Sequence, residues 1–334
     1  MRILVIGGTN FIGPHLVRRL AELGHEVALF HRGQTQAELP ASVRHVLGDR
    51  HQLAEHRDAF RRLSPEIVVD MIAYTREDAD GLVATFRGLA RRIVVLSSGD
   101  VYRAHGRLIG TEPGPVEPTP LTEDAPLRAV GFPYRSQARG PDDFVYSYDK
   151  IPVEQTVRAE PALPATVLRL PMVYGPGDYQ HRLYPYLRRM DDGRRAILLD
   201  EGLARWRCTR GYVEDVAAAI ALAAGDDRAA GRVHNVGEAV ALTEADWVRA
   251  IGEAAGWQGQ VVTVPAGRLP VPGDMRQDIV TDTRRIREEL GYRENGTLAD
   301  RLRQAVAWER PNPPAEPPAF DYPAEDRLLQ ELGL

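Results

Sequence analysis

Tyr146 and Lys150 stand four residues apart in Tyr146-Ser147-Tyr148-Asp149-Lys150, and Lys150 is the one lysine among 42 Lys and Arg side chains. Arginine can supply surface charge, but not a compact ammonium on a thin stem with a tunable proton affinity. On a helix starting near Asp143, the i, i+4 spacing puts phenol and amine on one face. An ammonium beside a phenol favours the phenolate, so the pair suits proton exchange with a hydroxyl. Tyr148 is the rival phenol, but Lys150 is only two residues further on, which places it on another face of such a helix.

A second group of reactive side chains ends an apolar run, Val94-Val95-Leu96-Ser97-Ser98-Gly99-Asp100-Val101-Tyr102. Asp100 can be read as a second acid/base for an elimination, or as a turn residue beside Gly99. A third group, Gly7-Gly8-Thr9-Asn10-Phe11-Ile12-Gly13, follows the apolar run Ile3 to Ile6. Gly7 suits a tight turn and Gly13 a close helix contact, while the helix start offers N–H groups and a positive dipole to a pyrophosphate. Asn10 occupies the place of the middle glycine and tolerates left-handed backbone better than other non-glycine residues. This loop predicts a dinucleotide.

The elements that must carry these residues alternate. Strands are expected at Ile3 to Ile6, Glu26 to Phe30, Val43 to Leu47, Ile67 to Ile72 and Ile93 to Leu96. Ile12, Leu16, Leu20 and Leu23 recur at helical spacing up to Gly24, and a second helix is expected over Asp78 to Leu89. Such alternation predicts an α/β fold, a doubly wound parallel Rossmann sheet with its ligands beyond the carboxyl ends of the strands. At the end of the second strand the chain reads Phe30-His31-Arg32-Gly33, without the carboxylate that would bind a ribose 2′-hydroxyl. Arg32 there favours NADP over NAD, unless it is only a loop cation. Asp49 could reach an adenine amino group, or serve as a turn residue beside Gly48.

Taken together, these motifs resemble the extended short-chain dehydrogenase/reductase family, the NAD-dependent epimerases and dehydratases. The resemblance runs over roughly residues 1 to 310. It includes the glycine loop, Ser97-Ser98-x-x-Val101-Tyr102, Tyr146-x-x-x-Lys150, Leu168 to Gly177, Tyr212-Val213-Glu214-Asp215-Val216, His234-Asn235-Val236-Gly237 and Glu289-Leu290-Gly291-Tyr292. It implies Tyr146 as the acid/base, Ser98 on the reacting oxygen, and Lys150 on the nicotinamide ribose. It also implies cofactor contacts from Gly7, Thr9, Asn10, Phe11, Ile12, Gly13, Ala73, Ser97 and Pro171. Relatives that eliminate water or carbon dioxide carry a carboxylate where this chain has Asp100. The position that usually holds a diphosphate-binding Arg is Cys208 here, with Arg207 and Arg210 as substitutes. Tyr179, His181 and Arg182 are expected on a substrate wall, His181 facing solvent or substrate rather than a metal.

Residues 1–172 and 212–235 are therefore expected to form the dinucleotide domain, and 173–211 with 236–310 a smaller substrate-binding subdomain. The Gly/Pro-rich segment from Leu127 to Asp143 is either a lid or an idle insertion. Pro311 to Pro323 reads as an extended tether, and Ala324 to Leu334 as a short helix that must dock on its own domain or a partner subunit. A net charge of −5 provides no basic field for nucleic acid, a lone Cys208 excludes an internal disulfide, and no apolar run approaches a membrane span. A cytoplasmic homodimer is the expectation. The leading function is epimerisation or dehydration of a nucleotide sugar. The alternatives are net NADPH-dependent reduction of a small carbonyl compound, and a non-catalytic or RNA-associated relative.

Overall fold

Short runs of branched apolar residues make parallel strands that are buried on both faces. In the computed structural model, which describes residues 1–333, the chain begins β1 (Arg2–Ile6), α1 (Ile12–Glu22), β2 (Glu26–His31), β3 (Arg44–Leu47), α2 (Arg57–Leu63), β4 (Ile67–Asp70), α3 (Arg76–Phe86) and β5 (Arg92–Ser98). It continues α4 (Arg103–Leu108), α5 (Phe144–Ser147), α6 (Lys150–Arg158), β6 (Ala165–Leu170), β7 (Met172–Tyr174), α7 (Tyr184–Asp191), β8 (Ala196–Asp200) and α8 (Glu201–Arg205). The remainder is β9 (Arg210–Tyr212), α9 (Val213–Gly225), β10 (Val233–Asn235), α10 (Glu244–Ala255), β11 (Gln260–Val264), α11 (Arg284–Leu290), α12 (Leu298–Glu309) and α13 (Tyr322–Glu331).

Two compact units divide the chain. The first holds Met1–Val173, Arg207–Ala241 and Pro272–Asn295. Its seven-stranded sheet has the order β10-β6-β5-β4-β1-β2-β3, with every neighbouring pair parallel. The chain reverses direction across the sheet between β1 and β4, so the carboxyl ends of these two strands open the crevice where doubly wound sheets take ligands. Leu4, Ile6, Val68, Ile93 and Val95 build one core with Leu82 and Phe86 of α3 and Val153 and Val157 of α6. The expected strands are all present.

The second unit holds Tyr174–Trp206, Leu242–Val271 and the chain from Gly296. Here β8 and β11 pair in parallel, and Leu328 of α13 is buried against Ala196, Val262 and Val264. The terminal helix therefore docks within its own unit. It starts at Tyr322, earlier than expected, because Asp321 caps it and Pro323 fits a first turn; the expected end at Leu334 lies outside the described residues.

Two other helices depart from expectation. The third begins at Arg76 because Thr75 and Asp78 form a reciprocal capping box. More consequentially, no single helix carries Tyr146 and Lys150. α5 ends at Ser147, Tyr148 and Asp149 are extended, and α6 starts at Lys150. Asp149 is the N-cap, accepting from Ile151 N at 3.1 Å, and an N-cap residue is not helical. Pro152 is allowed in the first turn of α6, but in a continuous helix its ring would meet the Tyr148 carbonyl. Lys150, Val153, Glu154 and Val157 then face the core together.

Candidate active site

The glycine loop leaves β1 with φ of 85° at Gly7 and 90° at Gly8, conformations that glycine adopts without strain. The third left-handed residue is Phe11 (φ 47°), which corrects the expectation that Asn10 would take that role. Asn10 is exposed and its carbonyl accepts from Gly13 N at 2.9 Å. Thr9, Phe11 and Ile12 are half-buried around it. Phe11 has no oxygen with which to cap α1. The first-turn N–H groups of a helix are the natural donors to a pyrophosphate. A Cβ on Gly13 would stand 2.3 Å from the Gly8 backbone. Gly13→Ala should therefore displace the cradle and weaken dinucleotide binding by about tenfold or more. Calorimetric titration with NADH and NADPH measures this.

Ser98 ends β5 at the same carboxyl edge, and its Oγ accepts from Asp100 N at 3.2 Å. Its hydroxyl also hydrogen-bonds to the phenol of Tyr148. Tyr148 is buried and donates to Asp100 Oδ2 at 2.8 Å. Tyr134 donates to the same oxygen at 3.1 Å and lies 3.3 Å from His105 Nε2. The other carboxylate oxygen, Asp100 Oδ1, is buried with no hydrogen-bond partner. Burial, then the Asp100 charge, holds the Tyr148 hydroxyl well above the ordinary phenol range. Burial also lowers the pKa of His105, so that ring is neutral at neutral pH.

Tyr146 meets a different set of neighbours. It is half-buried, with the Arg135 guanidinium 4.7 Å over its ring and Arg135 Nε donating to its carbonyl at 2.9 Å. The structure thus brings Ser98, Asp100 and Tyr148 together, the phenol that the single-helix reading set aside. Asp149 as cap and Pro152 in the first turn were the signals in the sequence that could have found it.

Lys150 is fully buried and donates to Ala73 O at 2.7 Å and Leu96 O at 2.9 Å. Its ammonium stands 4.6 Å from the Tyr74 ring centroid and 5.8 Å from that of Tyr148. Burial lowers its pKa to about 8, against the raising effect of Asp70 and Asp100. Behind it lies a buried cluster that the sequence did not disclose. Arg50 donates to Asp70 Oδ2 at 2.5 Å and to Asp78 Oδ1 at 2.9 Å. With Lys150 this makes two cations and two carboxylates, so charge is balanced under the site.

The other candidates divide. Ser97 is spent on the core, its Oγ donating to Glu154 Oε1 at 2.6 Å. Asp49 accepts from His51 N at 2.9 Å and caps the turn after β3. Arg32 is exposed beyond β2, and Pro171 is half-buried after β6. Cys208 is buried with its Sγ 3.4 Å from Met172 Sδ, Arg207 is exposed, and Arg210 is buried. In the second unit Tyr179 is exposed and Arg182 pairs with Asp178 at 2.8 Å. His181 does not face solvent freely: its Nδ1 meets Glu309 Oε1 at 2.7 Å and its ring stacks on Trp308.

The segment before Tyr146 is not idle. Arg128 donates to Asp149 Oδ1 at 3.1 Å, Phe132 N to Asp149 Oδ2 at 2.9 Å, and Tyr134 reaches Asp100. The cap of α6 and this segment therefore hold each other in place.

A seven-stranded doubly wound sheet, a glycine cradle and a hydroxyl–carboxylate cluster at its carboxyl edge define a class of nicotinamide enzymes. The chain belongs to the NAD-dependent epimerase/dehydratase family, whose sequence model matches residues 3–237. Among curated relatives it is 31% identical to 2'-dehydrokanamycin reductase of Streptomyces kanamyceticus, over 80% of this chain and 70% of the reductase. It is 27% identical to dTDP-glucose 4,6-dehydratase of Streptomyces griseus, over 92% of this chain and 93% of the dehydratase. Among solved structures, UDP-glucose 4-epimerase of Thermotoga maritima superposes with a TM-score of 0.69 at 23% identity, covering 93% of this chain and 99% of the epimerase. No described helix is long and apolar enough to cross a membrane.

Proposed function

We propose that this protein interconverts a secondary alcohol and a ketone on a sugar-type substrate, with net reduction by NADPH as its direction. One observation carries the reading: Ser98, Tyr148 and Asp100 form a hydrogen-bonded proton-transfer group at the carboxyl edge of the sheet that also carries the glycine cradle. Gly7 to Gly13 would hold the pyrophosphate, and Lys150 and Ala73 would flank the nicotinamide half. A dinucleotide held there would supply the hydride for the carbonyl carbon. The protein's part is to orient the carbonyl and deliver one proton to its oxygen. The identity to a reductase supports net reduction.

A second reading, epimerisation or dehydration of a nucleotide sugar with a retained cofactor, draws support from the coverage of the dTDP-glucose 4,6-dehydratase. Cys208 at the usual diphosphate-binding position counts against it.

Arg32→Ala separates the cofactor question. An exposed guanidinium at the end of β2 suits a 2′-phosphate. NADPH affinity should fall by about tenfold while NADH affinity stays within about twofold, an expectation built on roughly 1.4 kcal/mol per decade. Turnover is read with NADPH and a panel of keto-sugars, against UDP- and dTDP-hexoses without added reductant. Equal loss for both cofactors defeats the NADPH assignment, and turnover of a nucleotide hexose alone replaces reduction by the second reading.

A further inference from the structure

Resting on the proposed alcohol–ketone chemistry, we infer that Tyr148 and Asp100 form the proton-transfer pair of this site: Tyr148 meets the substrate oxygen and Asp100 holds the proton. The argument starts from what a buried phenol can do. Tyr148 OH is 2.8 Å from Asp100 Oδ2, and a phenolate there would set a second negative charge against the first. At that separation like charges cannot both persist in a dry site, so one proton is shared between the two groups. Oxidation of an alcohol then needs no phenolate. The alcohol O–H bond breaks as its proton bonds to the Tyr148 oxygen, and the Tyr148 proton passes to Asp100 Oδ2. Reduction runs the same transfers backwards from the state in which Asp100 has taken up a proton from solvent: Tyr148 protonates the carbonyl oxygen and is reprotonated by Asp100.

Three features fit this pair and not a pair of Tyr146 with Lys150. Ser98 hydrogen-bonds to the Tyr148 phenol, so the two hydroxyls converge on one point at the end of β5. Tyr146 belongs to a separate four-residue helix, under Arg135. Asp100 Oδ1 is buried without a partner, the cost of a carboxylate kept for proton chemistry rather than for structure. Asp100 meets the site through Oδ2, which takes Tyr148 and Tyr134, while its Oδ1 is buried, so the carboxylate acts behind the phenol rather than on a carbon-bound proton. The carboxylate thereby belongs to oxidation and reduction, not to elimination.

The test uses protein labelled with ζ-¹³C-tyrosine and the variants Tyr148→Phe, Tyr146→Phe and Asp100→Asn. Tyr148 is assigned by the resonance missing from Tyr148→Phe. That resonance should move in Asp100→Asn and stay at the phenol position from pH 6 to 9, with or without NADP⁺. A resonance indifferent to Asp100→Asn, or a phenolate near neutral pH lost in Tyr146→Phe, overturns the pair. With any keto-sugar that the wild type reduces, kcat of Tyr148→Phe should lie at least about 100-fold below that of Tyr146→Phe. Asp100→Asn should lower kcat for reduction while leaving KM within about twofold, a split that a merely structural Asp would not produce. The reverse order of the two tyrosine variants rejects the inference. A wild type that reduces nothing rejects the proposed function instead, and the resonance experiment still decides the pair.

Discussion

Lys150→Met is expected to remove a rise in stability of roughly 2 kcal/mol that the wild type shows between about pH 7.5 and 9.5. The lysine is fully buried, and burial lowers its pKa from 10.5 to about 8. A lowered folded-state pKa means that the folded protein binds this proton more weakly than the unfolded chain. The cost is complete below pH 8, roughly 3 kcal/mol, and is relieved as pH climbs towards the unfolded value. Stability therefore increases with pH across this window, below the range in which tyrosines ionise. Urea unfolding at the two pH values in both proteins isolates the contribution, and parallel curves would show that the ammonium is not buried. The same residue should not tolerate arginine. Its pocket is bounded by Ala73 O, Leu96 O and the Tyr74 and Tyr148 rings, and a planar fork with five donors has neither the room nor the acceptors there. Lys150→Arg should push the Tyr148 ring aside and lower kcat by on the order of 100-fold, as displacements near 1 Å do. Wild-type turnover in that variant would return the lone lysine to chance.

Arg169→Met should cost about 3–5 kcal/mol. Arg169 lies in β6 and is bidentate to Glu154 of α6 at 2.9 and 2.7 Å, with Tyr102 OH at 3.0 Å and Glu123 O at 2.8 Å. Both partners are almost wholly buried, at 2% and 3% exposure. Removing the guanidinium leaves a buried carboxylate with Ser97 as its remaining donor. Adding Glu154→Leu should recover most of the loss, because the charge that made the single change expensive is gone. A single variant within about 1 kcal/mol of wild type would mean that β6 and α6 are held by apolar packing alone.

The sheet was legible because its strands are continuous apolar runs, a pattern that survives without knowledge of tertiary contacts. Ser98 and Lys150 were legible for a related reason: one ends such a run and the other is compositionally alone. What spacing could not supply was the conformation between Tyr146 and Lys150. Counting four residues assumes an unbroken helix, and Asp149 with Pro152 breaks it by capping and by ring sterics. Asp100 was visible, but its partners were not. Tyr134 comes from a segment without periodicity, and His105 shares a hydrogen bond with that tyrosine. The inward turn of the Ser97 hydroxyl was hidden for the opposite reason, since it meets Glu154, a residue paired with Arg169 far along the chain.

A chain with one side-chain amine, sealed between two backbone carbonyls, also reports on its own opening. Acylating reagents find no lysine on the native surface, so modification of Lys150 marks only molecules in which its amine has left the Ala73 and Leu96 carbonyls. Mass spectrometry of a single acylated peptide would then time the breathing of the sheet's ligand edge, without a probe having been introduced.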